Sequence, residues 1–337
     1  MFKQNFSFSL FSQYRGELMG IAILGVCLLH AFAWAGMGES LVCKAIAPFA
    51  RIAFTDGFLF LSGFGLYYSF SKNGDRRAFY LKRFNRVFLP YVIMGLPFFL
   101  FGLFWGGVSF PKFLLKVTTL YFWLFGNDGM WYISMSVALY ALFPFAYRFM
   151  FANQTEKASV ARGLSLILAC ILGCLALYHY VPTYYNMLEI GIAKTPMFFI
   201  GMLVAYYACH NKVISWKHIF GGGILLCITF LLKKHSTFVV SYYEMSYRLL
   251  MMPLACMMLT LLKCSLLNSA LRWFGRYSLE IYVLQMLVLG IIGNVLMAVD
   301  CSSDYLPLIQ TLFTFAIVLG LCEPVHKGID KLIRKIE

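Results

Sequence analysis

The chain has 337 residues, of which 61% are hydrophobic and only 12% charged, with 34 Phe and 21 Tyr. No water-soluble core of this length needs so much apolar surface, so a soluble globular domain is excluded and a polytopic membrane protein is expected. The formal net charge of +14 would suit a nucleic-acid binder, but Lys and Arg gathered in short loops are what the positive-inside rule produces, and no nucleic-acid partner is read from it.

Eleven apolar runs follow in chain order, at 18–36, 48–70, 87–106, 113–126, 131–150, 162–179, 190–208, 218–232, 248–262, 277–299 and 305–323. A hydrocarbon core of about 30 Å takes about 20 residues of helix to cross. The fourth run, flanked by Lys112 and Lys116, is too short for that, and charge decides how to treat it. If it does not cross, the segments Met1–Glu17, Ser71–Arg86, Arg148–Arg162, Cys209–Lys217, Lys263–Arg276 and Pro324–Glu337 share one side and hold 20 of the 28 Lys and Arg. The expectation is therefore an all-α bundle of ten spanning helices in the cell membrane, with both termini cytoplasmic and 113–126 re-entrant or interfacial. No repeat, linker or low-complexity tract divides residues 1–337, which read as one domain. Of the ten cysteines, Cys27, Cys170, Cys174, Cys227 and Cys256 lie within apolar runs, and no Cys/His spacing suggests a metal.

The first run, Met19-Gly-Ile-Ala-Ile-Leu-Gly-Val-Cys-Leu-Leu-His30, sets an ionisable residue within the membrane. Such a residue is costly there and faces the protein interior, either as a site or as a hydrogen-bonded link between helices. The second carries Arg51 and Asp56, about 140° apart around a helix, so each needs a partner elsewhere. Arg51 also suits an anchor at the outer interface. Ser62-Gly63 on the same helix suits close approach by another. Ahead of the third run, Arg76, Arg77, Lys82, Arg83 and Arg86 crowd one cytoplasmic loop. Arg83 and Arg86 are three apart, and such a fork suits phosphate as well as a plain positive-inside anchor. Asn127, Asp128, Trp131 and Tyr132 then lead into the helix at 131–150, as outer polar groups beside an aromatic belt. Glu280 lies four residues after Arg276, a spacing that suits an ion pair.

Taken together, the His30 block, Asp56-Gly-Phe-Leu-Phe-Leu-Ser-Gly-Phe64, Lys82-Arg-Phe-Asn-Arg-Val-Phe-Leu-Pro90, Met130-Trp-Tyr-Ile-Ser134 and Phe274-Gly-Arg-Tyr-Ser-Leu-Glu-Ile-Tyr-Val-Leu-Gln285 resemble the integral-membrane acyltransferase 3 family. These bacterial enzymes O-acylate, usually O-acetylate, surface polysaccharides and related sugars. The resemblance spans essentially the whole chain and implies a ten-helix core, an acyl-CoA donor reaching the bundle from the cytoplasm, no metal, and a cell-envelope glycan or lipid-linked sugar as acceptor. It implies His30 as general base, with its unperturbed pKa near 6.5, Asp56 orienting it, and Arg51 or Arg15 meeting the charge that develops on the thioester carbonyl. Arg83 and Arg86, with Lys82, Arg76 and Arg77, would hold the phosphates of acetyl-CoA, and Trp131, Tyr132, Asn127 and Asp128 would meet the acceptor, with Tyr282 another aromatic face. Two positions depart from the pattern. Met19 stands where an Arg usually lies eleven residues before the His, and Gln285 where a His usually ends the last block. Arg15 is about 60° round from His30 on the helix, against about 20° for Met19. The competing class is a polysaccharide, lipid or small-solute transporter, in which His30, Arg51, Asp56 and Glu280 would line a pathway.

Overall fold

The computed structural model describes residues 6–34, 44–45, 55–126, 129–298 and 306–336. Helices dominate them, and an isolated antiparallel bridge joins Ser7 to Val213. In order the helices are α1 (Leu10–Gln13), α2 (Arg15–Trp34), α3 (Thr55–Asn73), α4 (Arg76–Arg83), a π-helical turn (Phe84–Phe88), α5 (Leu89–Phe104), α6 (Phe110–Val117), α7 (Tyr121–Phe125), α8 (Trp131–Phe151), α9 (Glu156–Tyr180), α10 (Pro182–Ile192), α11 (Thr195–Cys209), α12 (Trp216–Leu232), α13 (Thr237–Leu262), α14 (Ser265–Arg276), α15 (Ser278–Ala298) and α16 (Leu306–Ile336).

The apolar runs of the sequence are helical over their described residues, with two refinements. Residues 113–126 form no single helix: α6 and α7 are separated by Thr119, whose φ of 63° is left-handed, and neither is long enough to span. The run at 190–208 is broken between α10 and α11. Pro196 lacks an N–H and its ring clashes with the carbonyl four residues back, that of Ile192, the last residue of α10. Lys194 sits in the break.

Among the described residues six helical stretches are long and apolar enough to cross a membrane: Arg76–Phe104, Trp131–Phe151, Glu156–Tyr180, Pro182–Cys209, Thr237–Leu262 and Ile309–Lys335. The pair α14 and α15, bent by 67°, makes a seventh if taken as one span. Of the remaining expected spans, α12 has 17 residues, and α3 carries Asp56 in its first turn and Lys72 in its last. Outer faces are apolar. Leu164, Leu168, Leu172 and Leu175 stand exposed in a stripe along α9, a surface suited to lipid and too large to leave open to water.

Close helix approach sets the centre of the bundle. A Cβ on Gly63 of α3 would collide with the carbonyl oxygen of Phe198, and one on Gly201 of α11 with that of Phe60, so each helix supplies the gap its neighbour fills. The pair α2 and α14 cross in the same way, at Gly20 against Leu271 and Gly275 against Gly16. These crossings hold α3 against α11 and α2 against the strongly amphipathic α14. Between them lies the space that receives the polar side chains.

Candidate functional site

A cavity of about 1300 Å³ lies within the bundle, above the roughly 300–1,000 Å³ of ordinary small-molecule sites. From α2 it is lined by Arg15, Met19, Val26 and His30, which the helical repeat keeps toward one side. The 15 residues from Arg15 to His30 separate them by about 22 Å along the axis. The cavity is thus elongated, with Arg15 toward one end and His30 toward the other.

At one end the His30 Nδ1 lies 2.7 Å from the Gln285 side-chain amide. With the amide nitrogen toward Nδ1 the imidazole keeps its proton on Nε2. Rotated by half a turn, the amide carbonyl accepts Nδ1–H and Nε2 holds a free lone pair. Only the second arrangement makes Nε2 a base. Tyr282 packs 6.2 Å from the His30 ring, centroid to centroid, and donates its hydroxyl to the Gly129 carbonyl at 2.7 Å. Tyr132 meets Tyr282 edge-on. Its hydroxyl is 3.3 Å from Ser62 Oγ, which also accepts from the Tyr140 hydroxyl at 3.2 Å.

Toward the other end Arg15 donates from Nε to the Leu61 carbonyl at 3.4 Å. Gly65 leaves room for its guanidinium, since a Cβ there would come within 2.8 Å of Nη2. Arg83 donates to Ser69 Oγ at 3.2 Å and lies over the Phe79 ring. Arg86 and Lys82 line the same mouth. The turn carrying Arg86 is π-helical, an irregularity frequent at functional sites. The Asp75 side chain begins α4 by accepting the Arg77 backbone N–H at 2.9 Å.

Several expected partners differ. The Asp56 carboxylate, fully buried, accepts from Arg248 at 3.0 Å and lies 3.7 Å from Lys194. Gln285 is what meets His30 Nδ1. Arg15, 15 residues along a continuous helix, stands too far from His30 to meet the same carbonyl and belongs to the cationic end. Arg76 and Arg77 do not line the cavity; Arg76 lies over the Phe145 ring instead. Glu280 is bonded not to Arg276 but to His326, Nδ1 to Oε1, at 2.6 Å. Trp131 and Tyr132 do line the cavity, with the Lys194 ammonium 5.0 Å from the Trp131 ring centroid. Arg51, Asn127 and Asp128 lie outside the described residues.

The family model of the acyltransferase domain, the acyltransferase 3 type, matches residues 18–324. The chain belongs to the acyltransferase 3 family. No curated protein and no solved structure matches it. The chain is therefore an acyltransferase, and the matched stretch takes in His30, Arg83, Arg86 and Gln285. Arg15 precedes it.

Sequence reasoning missed three features of this acyltransferase: the Asp56 cluster with Arg248 and Lys194, the Gln285 contact, and the wall that α16 adds to the cavity. The first carried a signal. Intramembrane charges come in pairs, and Lys194 and Arg248 were the cations left within or beside apolar runs. For the second, Gln285 stood out only as a departure from a His, although an amide can hold an imidazole as well as an imidazole can. The third had no local mark, because a basic helix end reads first as an anchor.

Proposed function

We propose that this acyltransferase moves an acetyl group from cytoplasmic acetyl-CoA to a hydroxyl of a cell-envelope sugar or polysaccharide. The observation that carries the reading is the continuity of one cavity between His30 and the Arg83 and Arg86 mouth. Thioester chemistry needs a base for a poor hydroxyl nucleophile at one point and a grip on a highly charged leaving group far from it, and one cavity lined by His30 and by these arginines supplies both.

In this reading Arg83, Arg86 and Lys82 hold the diphosphate of the donor, with Arg15 extending the positive potential inward. The pantetheine arm lies along α2 toward His30. His30 Nε2 takes the hydroxyl proton as the oxygen attacks the thioester carbonyl. The C–S bond then breaks, and the CoA thiolate recovers the proton from the imidazolium. Gln285, whose Nε2 faces His30 Nδ1 in the structure, fixes the tautomer this requires once its amide is rotated by half a turn to accept Nδ1–H. Trp131, Tyr132 and Tyr282 offer the acceptor sugar aromatic faces. The fold in this reading is a single domain over 1–337, ten helices in the cell membrane with both termini cytoplasmic, and 113–126 as an outer interfacial segment.

The test is transfer of label from radiolabelled acetyl-CoA in inverted membrane vesicles that contain the natural acceptor. The native protein is expected to label envelope glycan or lipid-linked sugar, and both His30→Ala and the double variant Arg83→Ala, Arg86→Ala are expected to abolish it. Labelling equal to that of vesicles lacking the protein would overturn the reading in favour of transport. Activity that survives His30→Ala would remove the general base.

A further inference from the structure

The family match ends at residue 324, but the cavity wall does not. Beyond that point α16 turns His326, Ile329, Asp330, Ile333 and Arg334 to the cavity, the i, i+3, i+4, i+7, i+8 pattern of one helix face. Arg276, the last residue of α14, lines the same cavity. This wall belongs to helices other than those of Arg83 and Arg86, and its cations are exposed, as Arg86 is, whereas Arg83 is half-buried.

The arginines of this wall are not spent on its carboxylates. Of the carboxylates lining the cavity, Glu280 is bonded to His326, Asp330 lies 3.5 Å from His326 Nε2, and Asp75 caps α4. Among the described residues neither Arg276 nor Arg334 makes an ion pair; Arg276 lies over the Tyr277 ring. The lining as a whole holds seven Lys and Arg against three carboxylates. Such a surplus asks for a ligand with more than one anionic group, set at more than one depth.

We propose that Arg276 and Arg334 bind the 3′-phosphate of the acyl-CoA donor, leaving its diphosphate to Arg83 and Arg86. The inference rests on the donor reading above and adds a second phosphate subsite to it. The order of groups in the donor supports the division. The thioester and pantetheine come first, then the diphosphate, and the ribose 3′-phosphate is farthest out. Arg83 is half-buried and sets the inner point of the mouth, with Arg86 exposed beside it, and Arg276 and Arg334 are exposed on the opposite wall. A terminal phosphate monoester is close to dianionic at neutral pH, and planar guanidinium forks match its oxygens better than ammonium groups do.

The experiment compares binding of CoA and of 3′-dephospho-CoA to the full-length protein in lipid nanodiscs by calorimetry. The native protein is expected to bind CoA roughly 10- to 100-fold tighter than 3′-dephospho-CoA, the range for losing charge-assisted hydrogen bonds. Arg276→Ala with Arg334→Ala is expected to weaken CoA to the level of 3′-dephospho-CoA and to leave 3′-dephospho-CoA binding unchanged, which also reports an intact fold. Arg276→Lys with Arg334→Lys is expected to keep part of the preference. Equal native affinity for the two ligands would overturn the proposal, as would a double Ala variant that weakens both equally. The pair Arg83→Ala, Arg86→Ala separates this from the donor reading: it should weaken both ligands alike, whatever the fate of the 3′-phosphate subsite. Binding of neither ligand by the native protein would overturn both.

Discussion

Asp56→Asn is expected to be among the most damaging single-atom changes this chain can suffer. The carboxylate has no exposure, and it sits between Arg248, 6% exposed and 3.0 Å away, and Lys194, 12% exposed and 3.7 Å away. Arg248 keeps a second carboxylate, Glu244 at 2.9 Å, but that one is 45% exposed and screened by solvent. Removing one partner of a buried ion pair costs about 3–5 kcal/mol, mostly because the surviving charge stays buried without compensation. Two buried cations, Arg248 and Lys194, lose this carboxylate at once, which places Asp56→Asn at the upper end. Arg248→Gln should cost less, since Asp56 keeps Lys194. The double variant should cost clearly less than the two singles added together, with a coupling on the order of 2 kcal/mol. The assay is thermal unfolding of purified protein in one detergent, followed by intrinsic Trp fluorescence. The control is Lys212→Ala, which breaks a 2.9 Å bond to Glu156 where the side chains are 42% and 46% exposed, and should leave the transition where it was. If Asp56→Asn unfolds at the native temperature, or if the two single effects simply add, the cluster is not a coupled structural unit and the argument from burial fails.

Three further outcomes follow from the geometry. Gly201→Val should prevent accumulation of folded protein, because the new side chain meets the Phe60 backbone rather than a movable side chain; Gly173→Ala, on α9 with open space at its Cβ position, is the matched control, and detergent-extractable yield is the readout. Gln285→Leu should lower kcat for acetyl transfer by roughly a hundredfold or more, the scale of lost general-base catalysis, with KM for acetyl-CoA little changed, and Gln285→His should retain most activity because an imidazole can also hold His30 Nδ1. Arg83→Ala should raise KM for acetyl-CoA about ten- to a hundredfold, whereas Arg76→Ala, whose guanidinium lies over Phe145 outside the cavity, should change it little.

The helical fold was legible in the sequence because apolar length is a long-range, additive signal that needs no knowledge of neighbours. What escaped it was where helices stop for reasons of geometry. The break at Lys194 is written in the sequence as Pro196, but a proline in a membrane helix is tolerated elsewhere in this chain, inside α5, α8, α13 and α16, so the residue alone does not announce a break. The site was legible by residue type and illegible by pairing. His30, Arg83, Arg86, Trp131 and Tyr132 all line the cavity, since intramembrane polar groups and basic forks are rare enough to stand out. Asp56 was assigned to His30, and Glu280 to Arg276, because sequence offers only the neighbours one can name. The true partners, Arg248 and His326, are 192 and 46 residues distant.

The same contrast explains how one bundle holds groups with opposed requirements, the arginines lining the cavity and the Asp56 cluster buried outside its lining. The Asp56 cluster must stay dry and paired, and the arginines of the mouth must stay wet and available. The glycine crossings make this separation possible. With α3 drawn against α11 at Gly63 and Gly201, and α2 against α14 at Gly16, Gly20 and Gly275, the backbones around the channel are fixed from both sides, so the lining residues need not also hold the bundle together. Arg15 illustrates the consequence: its guanidinium is accommodated only because position 65 has no side chain. A Gly65→Ala change, which leaves every charge in place, should therefore displace Arg15 and impair donor binding through shape alone. Calorimetric titration with CoA would detect this as weaker binding at unchanged thermal stability. Unchanged CoA affinity would show that Arg15 is not held where the donor needs it.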